Sequence, residues 1–405
     1  MLRDDTDWTG VAFGISLACL IAFQQFKLPP VLPGMIAAYG WDRTLAGGFM
    51  AVYAVAGLAF SLPIGRVMQR RGIMGLLFAS LALLILGNLL TLAFPAAGFV
   101  VLLARGLEGI AFAVGAIAGP ALASRSAAPR DLGFVVGLMA AWIPIGQLVA
   151  TGLALVMTRW QWIWLLGIAI TLLLGIWALV LRRHDAFAAP GAAGRAHGHM
   201  TQRQRAELTA AASIFLLWSM QYFAYMTWLP QYLVEVTGLG SMGAAAAYAL
   251  PVAVLLGFNI LTGFLLGAGV PLAALLLSAL VSQAAVWWLI PWCQGIAAGT
   301  ALLVLYGIGA GITPTCLFAL PGAIMGRAGA PTAFGFIMTG RNIGVFLGPI
   351  LLAEATKLLG GWSAAWPLFG STTLVGNAGR RGSRRDVPGE PARGRGVDID
   401  YGTSR

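Results

Sequence analysis

Long apolar runs recur along the whole chain, and they constrain its fold more than any other feature. One of them, LLFASLALLILGNLLTLAF, occupies residues 76–94. An α-helix of about 20 apolar residues, rising about 1.5 Å per residue, crosses a hydrocarbon layer about 30 Å thick. The runs do not alternate between apolar and polar residues, as the strands of a membrane barrel would. The sequence therefore predicts an all-α polytopic membrane protein.

The composition agrees with this fold class. Of the 405 residues, 59% are hydrophobic and 10% are charged, whereas soluble domains carry about 25% charged residues. The sequence shows no zinc ligand set, phosphate-binding loop or hydrolase nucleophile motif, and no nucleophile and base at an informative spacing. We therefore expect no enzymatic activity, no cofactor and no bound metal.

Glycines, prolines and clusters of charge divide the chain into twelve candidate spans. Their limits are 9–38, 43–65, 73–94, 98–124, 132–157, 162–181, 207–236, 242–267, 271–291, 296–325, 332–358 and 362–376. With the N-terminus in the cytoplasm, 19 of the 25 Lys and Arg residues fall on the cytoplasmic side, as the positive-inside rule requires. This distribution predicts a multi-pass protein with both termini in the cytoplasm, and it argues against a nucleic-acid partner.

The sequence also matches itself at an offset of 201 to 202 residues, about half its length. The motif LPPVL at 28–32 recurs as LPQYL at 229–233. Other paired positions are Gly65 and Gly267, Gly109 and Gly311, Gly133 and Gly335, Gly146 and Gly348, Trp160 and Trp362, and Trp164 and Trp366. A register shared along six spans predicts two six-helix bundles related by pseudo-two-fold symmetry.

The predicted domains follow from this duplication. The N-terminal bundle comprises 1–181, a cytoplasmic linker comprises 182–206, and the C-terminal bundle comprises 207–376. Residues 377–405 contain seven Arg and no Leu, Phe, Trp or Met, which predicts a disordered basic tail, either native or frameshifted. The last span holds about 14 apolar residues, fewer than the 17 or more needed to cross a bilayer, so helix 12 is expected to be truncated.

Charge is concentrated between the second and third spans, in GRVMQRRG (65–72). In the major facilitator superfamily this connection reads Gly-x-x-x-Asp-Arg-x-Gly-Arg-Arg. Gly65, Arg70 and Gly72 match it, and Gln69 replaces the Asp. In that family the motif anchors the turn in the cytoplasm and acts as a gate latch, so the resemblance implies a gating role for these four residues. The latch is expected to be weak, because Gln69 cannot form an ion pair.

A second motif of the family, Arg-x-x-x-Gly in its fourth helix, appears as Arg105 and Gly109. With twelve spans and an internal duplication, the chain therefore resembles a bacterial twelve-span member of the superfamily. The resemblance implies a membrane transporter of the inner membrane, with a substrate site near the bilayer midplane between the two bundles.

Charged residues within the spans are candidates for function, because an Arg at the bilayer centre costs about 2.5 to 3.5 kcal/mol. Arg105 and Glu108 lie on one face of the fourth span, at i and i+3. They form either a structural pair or the proton-coupling element that the resemblance implies. Lys27 precedes a Pro-Pro kink in the first span, and Arg341 lies near the middle of the eleventh.

Arg341 has no acidic residue within one helical turn. Its guanidinium is expected to bind an anionic substrate, since it fits a carboxylate with two parallel hydrogen bonds. The alternative is a structural role, with hydrogen bonds to backbone carbonyls across the bundle. We expect Lys27 to join Arg341 in a cationic substrate cavity. The other polar residues on cavity helices are Gln24, Gln147, Gln221, Tyr225, Asn259, Tyr306 and Asn342, of which Gln24, Gln221, Tyr225 and Asn342 complete the predicted substrate site.

Three functional hypotheses remain open. The first is a monomeric secondary transporter of a small organic anion such as a carboxylate, a symporter coupled to protons. The second is an exporter of drugs or other amphipathic solutes, favoured by 14 Trp and 20 Phe but not by the fifth span, which lacks most of the Gly-x-x-x-Gly-Pro signature. The third is a sensor or scaffold that transports nothing.

Overall fold

The chain is described by a computed structural model that covers residues 5–71, 73–128, 131, 135, 138, 139, 141–157, 159–182, 200–293 and 295–371. Within these residues it is helical, with no strand. The first half contains α1 (Trp8–Phe26), α2 (Leu32–Tyr39), α3 (Arg43–Arg71), α4 (Met74–Ala93), α5 (Gly98–Ser126), α6 (Trp142–Val156) and α7 (Trp160–Leu181). The second half contains α8 (Gln202–Thr237), α9 (Ser241–Gly267), α10 (Leu272–Leu289), α11 (Ile296–Leu358) and α12 (362–371).

The helices form two bundles that meet along two pairs of helices. In the first bundle α5 packs against α1, α3 and α4, and in the second α11 packs against α8, α9 and α10. Between the bundles, α3 contacts α11 and α6 contacts α9. The expected architecture of two helical bundles is therefore present.

One helix contact recurs in both halves at the offset of the duplication. A Cβ atom at Gly109 would lie 2.4 Å from the carbonyl oxygen of Tyr53. A Cβ atom at Gly311 would lie 2.5 Å from the carbonyl oxygen of Leu255. Both members of the second contact stand 202 residues after those of the first. Because only glycine allows two helices to approach this closely, the repeated glycines fix the same helix pair in each bundle.

The first predicted span is interrupted where the two prolines stand. α1 ends at Phe26, a 3₁₀ turn spans Pro29–Val31, and α2 begins at Leu32. Proline lacks the backbone N–H that continues an α-helix. The 3₁₀ turn contacts α8 and α9 of the other bundle. The kink therefore lies at the interface between the bundles.

Two helices extend five or more residues past their predicted limits. α3 continues to Arg71 rather than ending at 65, because Arg, Met and Gln are good helix formers and nothing before Gly72 stops the helix. α8 begins at Gln202, inside the predicted linker, rather than at 207. Thr201 and Gln204 form a capping box that starts this helix five residues early.

The tenth and eleventh predicted spans are assigned as one helical element, α11. Ala310 and Arg341 nevertheless line the same cavity, although a straight helix would separate them by about 46 Å. The chain therefore reverses direction within α11, between its two apolar stretches Ile296–Leu320 and Phe336–Leu358. The predicted division into two spans is confirmed, but the predicted connection between them is not a separate loop.

Eight stretches of the described residues are long and apolar enough to cross a membrane. They are Trp8–Tyr39, Met74–Ala93, Gly98–Ser126, Trp160–Leu181, Ser241–Gly267, Leu272–Trp292, Ile296–Leu320 and Phe336–Leu358. α8 is also long enough, with 36 residues, but Gln, Ser, Tyr and Trp replace many aliphatic residues along it. The expected end of span 12, the tail after 376 and most of the linker lie outside the described residues.

Candidate functional site

A charged cluster lies fully buried in the first bundle. The ammonium of Lys27, just after the end of α1, donates hydrogen bonds to Gln24 Oε1 at 2.6 Å and Asn88 Oδ1 at 2.7 Å. It also forms an ion pair with Glu108 Oε1 of α5 at 2.8 Å. All four side chains have no exposed surface. Lys27 therefore joins α1, α4 and α5 inside the bundle.

Arg105 completes this cluster. Its guanidinium pairs with the second carboxylate oxygen of Glu108, three residues further along α5. It also donates to the backbone carbonyls of Gln24 at 2.9 Å and Gln25 at 3.0 Å. A further bond, from Nε to the carbonyl of Phe49, reaches α3 at 3.3 Å. The cluster of Lys27, Arg105 and Glu108, which we call the first-bundle triad, thus holds two positive charges and one negative charge.

A second polar site lies between the bundles, around Arg341 of α11. The guanidinium donates to Asn342 Oδ1 at 3.1 Å and lies over the ring of Phe223, 5.4 Å from its centroid. No carboxylate in the described part of the chain is within ion-pair distance of it. The Arg341 cavity is lined by Ile143 and Pro144 of α6, Phe215, Trp218, Tyr222 and Phe223 of α8, Leu255 and Asn259 of α9, and Ala310, Pro314, Phe318 and Arg341 of α11.

The aromatic wall of this cavity is held in place by buried glutamines. The rings of Trp218 and Tyr222 stack with centroids 5.0 Å apart and planes 16° from parallel. The indole N–H of Trp218 donates to Gln283 Oε1 at 3.1 Å. The hydroxyl of Tyr222 donates to Gln147 Oε1 of the other bundle at 3.2 Å. The cavity therefore offers a flat apolar surface beside a guanidinium that, among the described residues, donates one hydrogen bond, to Asn342.

A third cluster lies in the core of the second bundle. Gln221 Oε1 accepts hydrogen bonds from Trp287 Nε1 at 2.6 Å and from the Tyr306 hydroxyl at 2.9 Å. Tyr225 stacks on Tyr306 with centroids 3.6 Å apart, and its own hydroxyl has no hydrogen-bond partner among the residues that the structure describes. Gln221 and Tyr225 thus lie in a polar aromatic core behind the cavity wall.

The first-bundle triad and the Arg341 cavity are connected by two aromatic rings. Phe26 immediately precedes Lys27 and stacks on Phe223 of α8, with centroids 5.7 Å apart. Phe223 in turn lies under the guanidinium of Arg341. Phe26 and Phe223 therefore form a chain of contacts that crosses between the bundles from Lys27 to Arg341.

Ion pairs join the two bundles at the end of the molecule where α3 begins, which we call the Arg43 end. Arg43 pairs with Glu235 of α8 at 2.7 Å. Asp42 lies 3.5 Å from the ammonium of Lys357 in α11, which also pairs with Glu354. Hydrogen bonds from the backbone amides of Leu45 and then Thr44 lower the pKa of Asp42 below its ordinary value. At the Arg43 end the two bundles are therefore joined by ion pairs.

The predicted site residues are thus distributed over separate clusters. Lys27 does not join Arg341, because its ammonium is bonded to Gln24, Asn88 and Glu108 instead. Asn342 is the hydrogen-bond partner of Arg341. The side chains of the predicted gating residues Gly65, Gln69, Arg70 and Gly72 lie outside the described part of the chain.

Sequence reasoning overlooked Asn88, Trp218 and Tyr222. Asn88 is the one strongly polar residue in an otherwise aliphatic run, and that contrast could have identified it. Trp218 and Tyr222 are four residues apart on one face of α8, a spacing that also describes ordinary core packing. Only the position of Arg341 beside them distinguishes the two cases.

Comparison with known proteins gives one family. The family model of the Major Facilitator Superfamily matches residues 14–349. The fold is similar to the crystal structure of the nucleoside transporter NupG, with a TM-score of 0.73, 12% identity, and coverage of 92% of this chain and 100% of that one. It is also similar to a bacterial homologue of the human lysosomal transporter Spinster, in an inward-facing and occupied conformation, with a TM-score of 0.66, 14% identity, and coverage of 90% and 91%. No curated protein matches the sequence.

Proposed function

Because the chain belongs to the major facilitator superfamily, we propose that it is a secondary transporter that carries a small organic anion, such as a carboxylate, by alternating access coupled to protons. The observation that carries this proposal is Arg341. Its guanidinium lines a cavity between the bundles, and its hydrogen-bonded neighbour is the neutral amide of Asn342. A buried arginine without an anionic partner is costly in a membrane, and a substrate carboxylate would supply that partner with two charge-assisted hydrogen bonds.

The orientation belongs to the same proposal. With both termini in the cytoplasm of a bacterial inner membrane, the Arg43 end faces the outside. The ion pairs of Arg43 with Glu235 and of Asp42 with Lys357 would then close the outer side. Under this assignment the substrate would reach Arg341 from the cytoplasmic side in the state described by the structure. The linker over 182–206 and the basic tail after 376 would both be cytoplasmic.

The aromatic wall supports one alternative. Trp218, Tyr222, Phe215 and Phe318 present more ring surface than a short carboxylate needs. This surface would suit an uncharged amphipathic solute in an exporter. The alternatives differ in whether the positive charge of Arg341 is needed, and a transport assay separates them.

The test uses the purified full chain in proteoliposomes. Uptake of ¹⁴C-labelled acetate, lactate, succinate and benzoate is measured with and without an imposed proton gradient, beside an uncharged nucleoside. We expect the gradient to drive accumulation of at least one carboxylate. Arg341→Gln should abolish that accumulation. Arg341→Lys keeps the charge but cannot form two parallel hydrogen bonds to a carboxylate. The carboxylate concentration that gives half-maximal transport should therefore rise about tenfold, the equivalent of about 1.4 kcal/mol in binding.

Arg203→Gln is the matched control. Arg203 is exposed and pairs only with Glu207 on its own helix in the described structure, so this variant should transport normally. If Arg341→Gln transports carboxylates as well as the wild type, the anion site is wrong. If only the uncharged solute is carried, and Arg341→Gln carries it too, the exporter alternative is correct.

A further inference from the structure

We propose that Lys27 is the residue that carries the coupling proton, by alternating between an ammonium and a neutral amine while Glu108 stays ionised. This inference rests on the proton coupling proposed above and names the residue that performs it. It differs from the assignment of proton coupling to Arg105 and Glu108 alone.

The charges of the first-bundle triad select Lys27. With all three groups ionised, the buried triad carries a net charge of +1. Protonating Glu108 would leave two buried cations with no anion, and Arg105 cannot release its proton under any ordinary condition. Loss of a proton from Lys27 leaves the ion pair of Arg105 and Glu108, which is neutral. Of the possible protonation changes, only this one removes net charge from the membrane interior, where charge is costly.

The surroundings of Lys27 supply no other compensating charge within the described residues. α5 presents Glu108 and Arg105, and α3 presents the phenol of Tyr53, whose ring lies under Arg105. α4 presents the neutral amide of Asn88, and α7 presents the indole ring of Trp164, with its centroid 4.7 Å from Nζ. Glu108 is thus shared between two cations, with one oxygen for each.

The chemical step is a simple proton transfer. One N–H bond of the Lys27 ammonium breaks, its electron pair stays on Nζ, and the proton leaves on a water molecule that reaches the helix break. The ammonium donates to Gln24, Asn88 and Glu108 at the same time. A neutral amine has one N–H fewer, so it must release one of these three partners. Protonation of Lys27 therefore changes how tightly α1 is held to α4 and α5.

The position of Lys27 allows this change to reach the substrate site. Lys27 follows the last residue of α1, and the 3₁₀ turn beyond it contacts the second bundle. Its neighbour Phe26 stacks on Phe223, the ring beneath Arg341. A shift at the end of α1 would therefore displace the aromatic support of the guanidinium that binds the substrate.

The test exploits an unusual feature of the sequence, which contains two lysines, Lys27 and Lys357. In the full chain labelled with [¹³Cε]lysine, NMR gives one signal for each, and Lys357→Arg assigns them. The chemical shift of Cε reports whether the side-chain amine is protonated. We expect the Lys27 signal to move from the ammonium to the amine position at a lower pH than the signal of an exposed lysine, which keeps its proton until about pH 10.4. A Lys27 signal that stays at the ammonium position to pH 10 overturns the proposal.

A transport measurement separates this inference from the proposed function. In the proteoliposomes described above, Lys27→Arg fixes the positive charge and should lower gradient-driven accumulation of the transported carboxylate at least tenfold relative to exchange of labelled for unlabelled carboxylate. A wild-type protein that ignores the proton gradient overturns both proposals. A wild-type protein that responds to it, with a Lys27→Arg variant that responds equally, overturns the assignment of Lys27 alone.

Discussion

Replacing Glu108 by Gln should destabilise the protein more than replacing Lys27 by Met. The two side chains form the same ion pair, at 2.8 Å, and both are fully buried. The loss of Glu108 removes the only negative charge of the first-bundle triad and leaves Lys27 and Arg105 facing a neutral amide. The loss of Lys27 instead leaves the pair of Arg105 and Glu108 intact.

The expected magnitudes follow from these contacts. Breaking a buried pair so that a charge is left uncompensated costs about 3–5 kcal/mol, and Glu108→Gln leaves two such charges. Lys27→Met leaves two buried acceptors, Asn88 Oδ1 and Glu108 Oε1, without the donor that Lys27 supplies, whereas Gln24 Oε1 keeps a bond from Asn88 Nδ2 at 3.3 Å. Each unsatisfied buried acceptor costs about 1–3 kcal/mol. The double variant should be less damaged than the sum of the single variants, because removing Lys27 relieves half of the excess charge.

Thermal unfolding in detergent provides the assay. The three free cysteines, Cys19, Cys293 and Cys316, are buried or half-buried, so a thiol-reactive dye reports unfolding without added probes. We expect the unfolding temperature to fall in the order wild type, Lys27→Met, Glu108→Gln. The difference in unfolding temperature between the wild type and Glu108→Gln should shrink as pH rises, because Lys27 can then give up its proton. The argument from uncompensated charge would be refuted if the two variants lowered the unfolding temperature equally, or if the effect of Glu108→Gln did not change with pH.

Three further predictions concern other parts of the chain. Arg43→Gln removes a half-exposed ion pair with Glu235, worth about 0.2–1 kcal/mol. The rate at which a thiol reagent labels a cysteine placed at the Arg43 end should therefore rise by up to about fivefold. An unchanged labelling rate would contradict a role of this ion pair in holding the bundles together. Gly109→Ala would place a Cβ 2.4 Å from a carbonyl oxygen of α3 and should lower the unfolding temperature, whereas Gly152→Ala, with open space around it, should not. Gln69→Asp should restore an ion pair of the gate and favour the state open at the Arg43 end, which the same labelling would detect as increased reactivity.

Much of the fold could be predicted because it depends on local properties of the sequence. A bilayer fixes the length of an apolar helix, and a proline pair interrupts it, so the break after Lys27 was predictable. The boundaries of α3 and α8 were missed, because the predicted limits followed changes of hydropathy, whereas a helix stops or starts where capping permits. For α8 the decisive signal was the spacing of Thr201 and Gln204, which favours a capping box.

The candidate site was less predictable, because it depends on how the helices are rotated about their axes. The sequence shows that Lys27, Glu108 and Arg341 lie at membrane depth, but not which of them face each other. Lys27 and Glu108 are 81 residues apart and meet only because α1 packs on α5. The prediction that Lys27 and Arg341 share one cavity failed for this reason, whereas the pairing of Arg105 with Glu108 was visible from their spacing.

The glycine contact that recurs in both halves has a consequence for how such a protein acquires new substrates. Gly109 and Gly311 hold the same helix pair in each bundle, but the charges beside them do not recur, since Ala310 stands at the position that corresponds to Glu108. The close helix contact is therefore common to the two halves, while the side chains beside it differ. Ala310 lines the Arg341 cavity, so a substitution there would change the surface offered to a substrate while the glycine contact beside it stays in place.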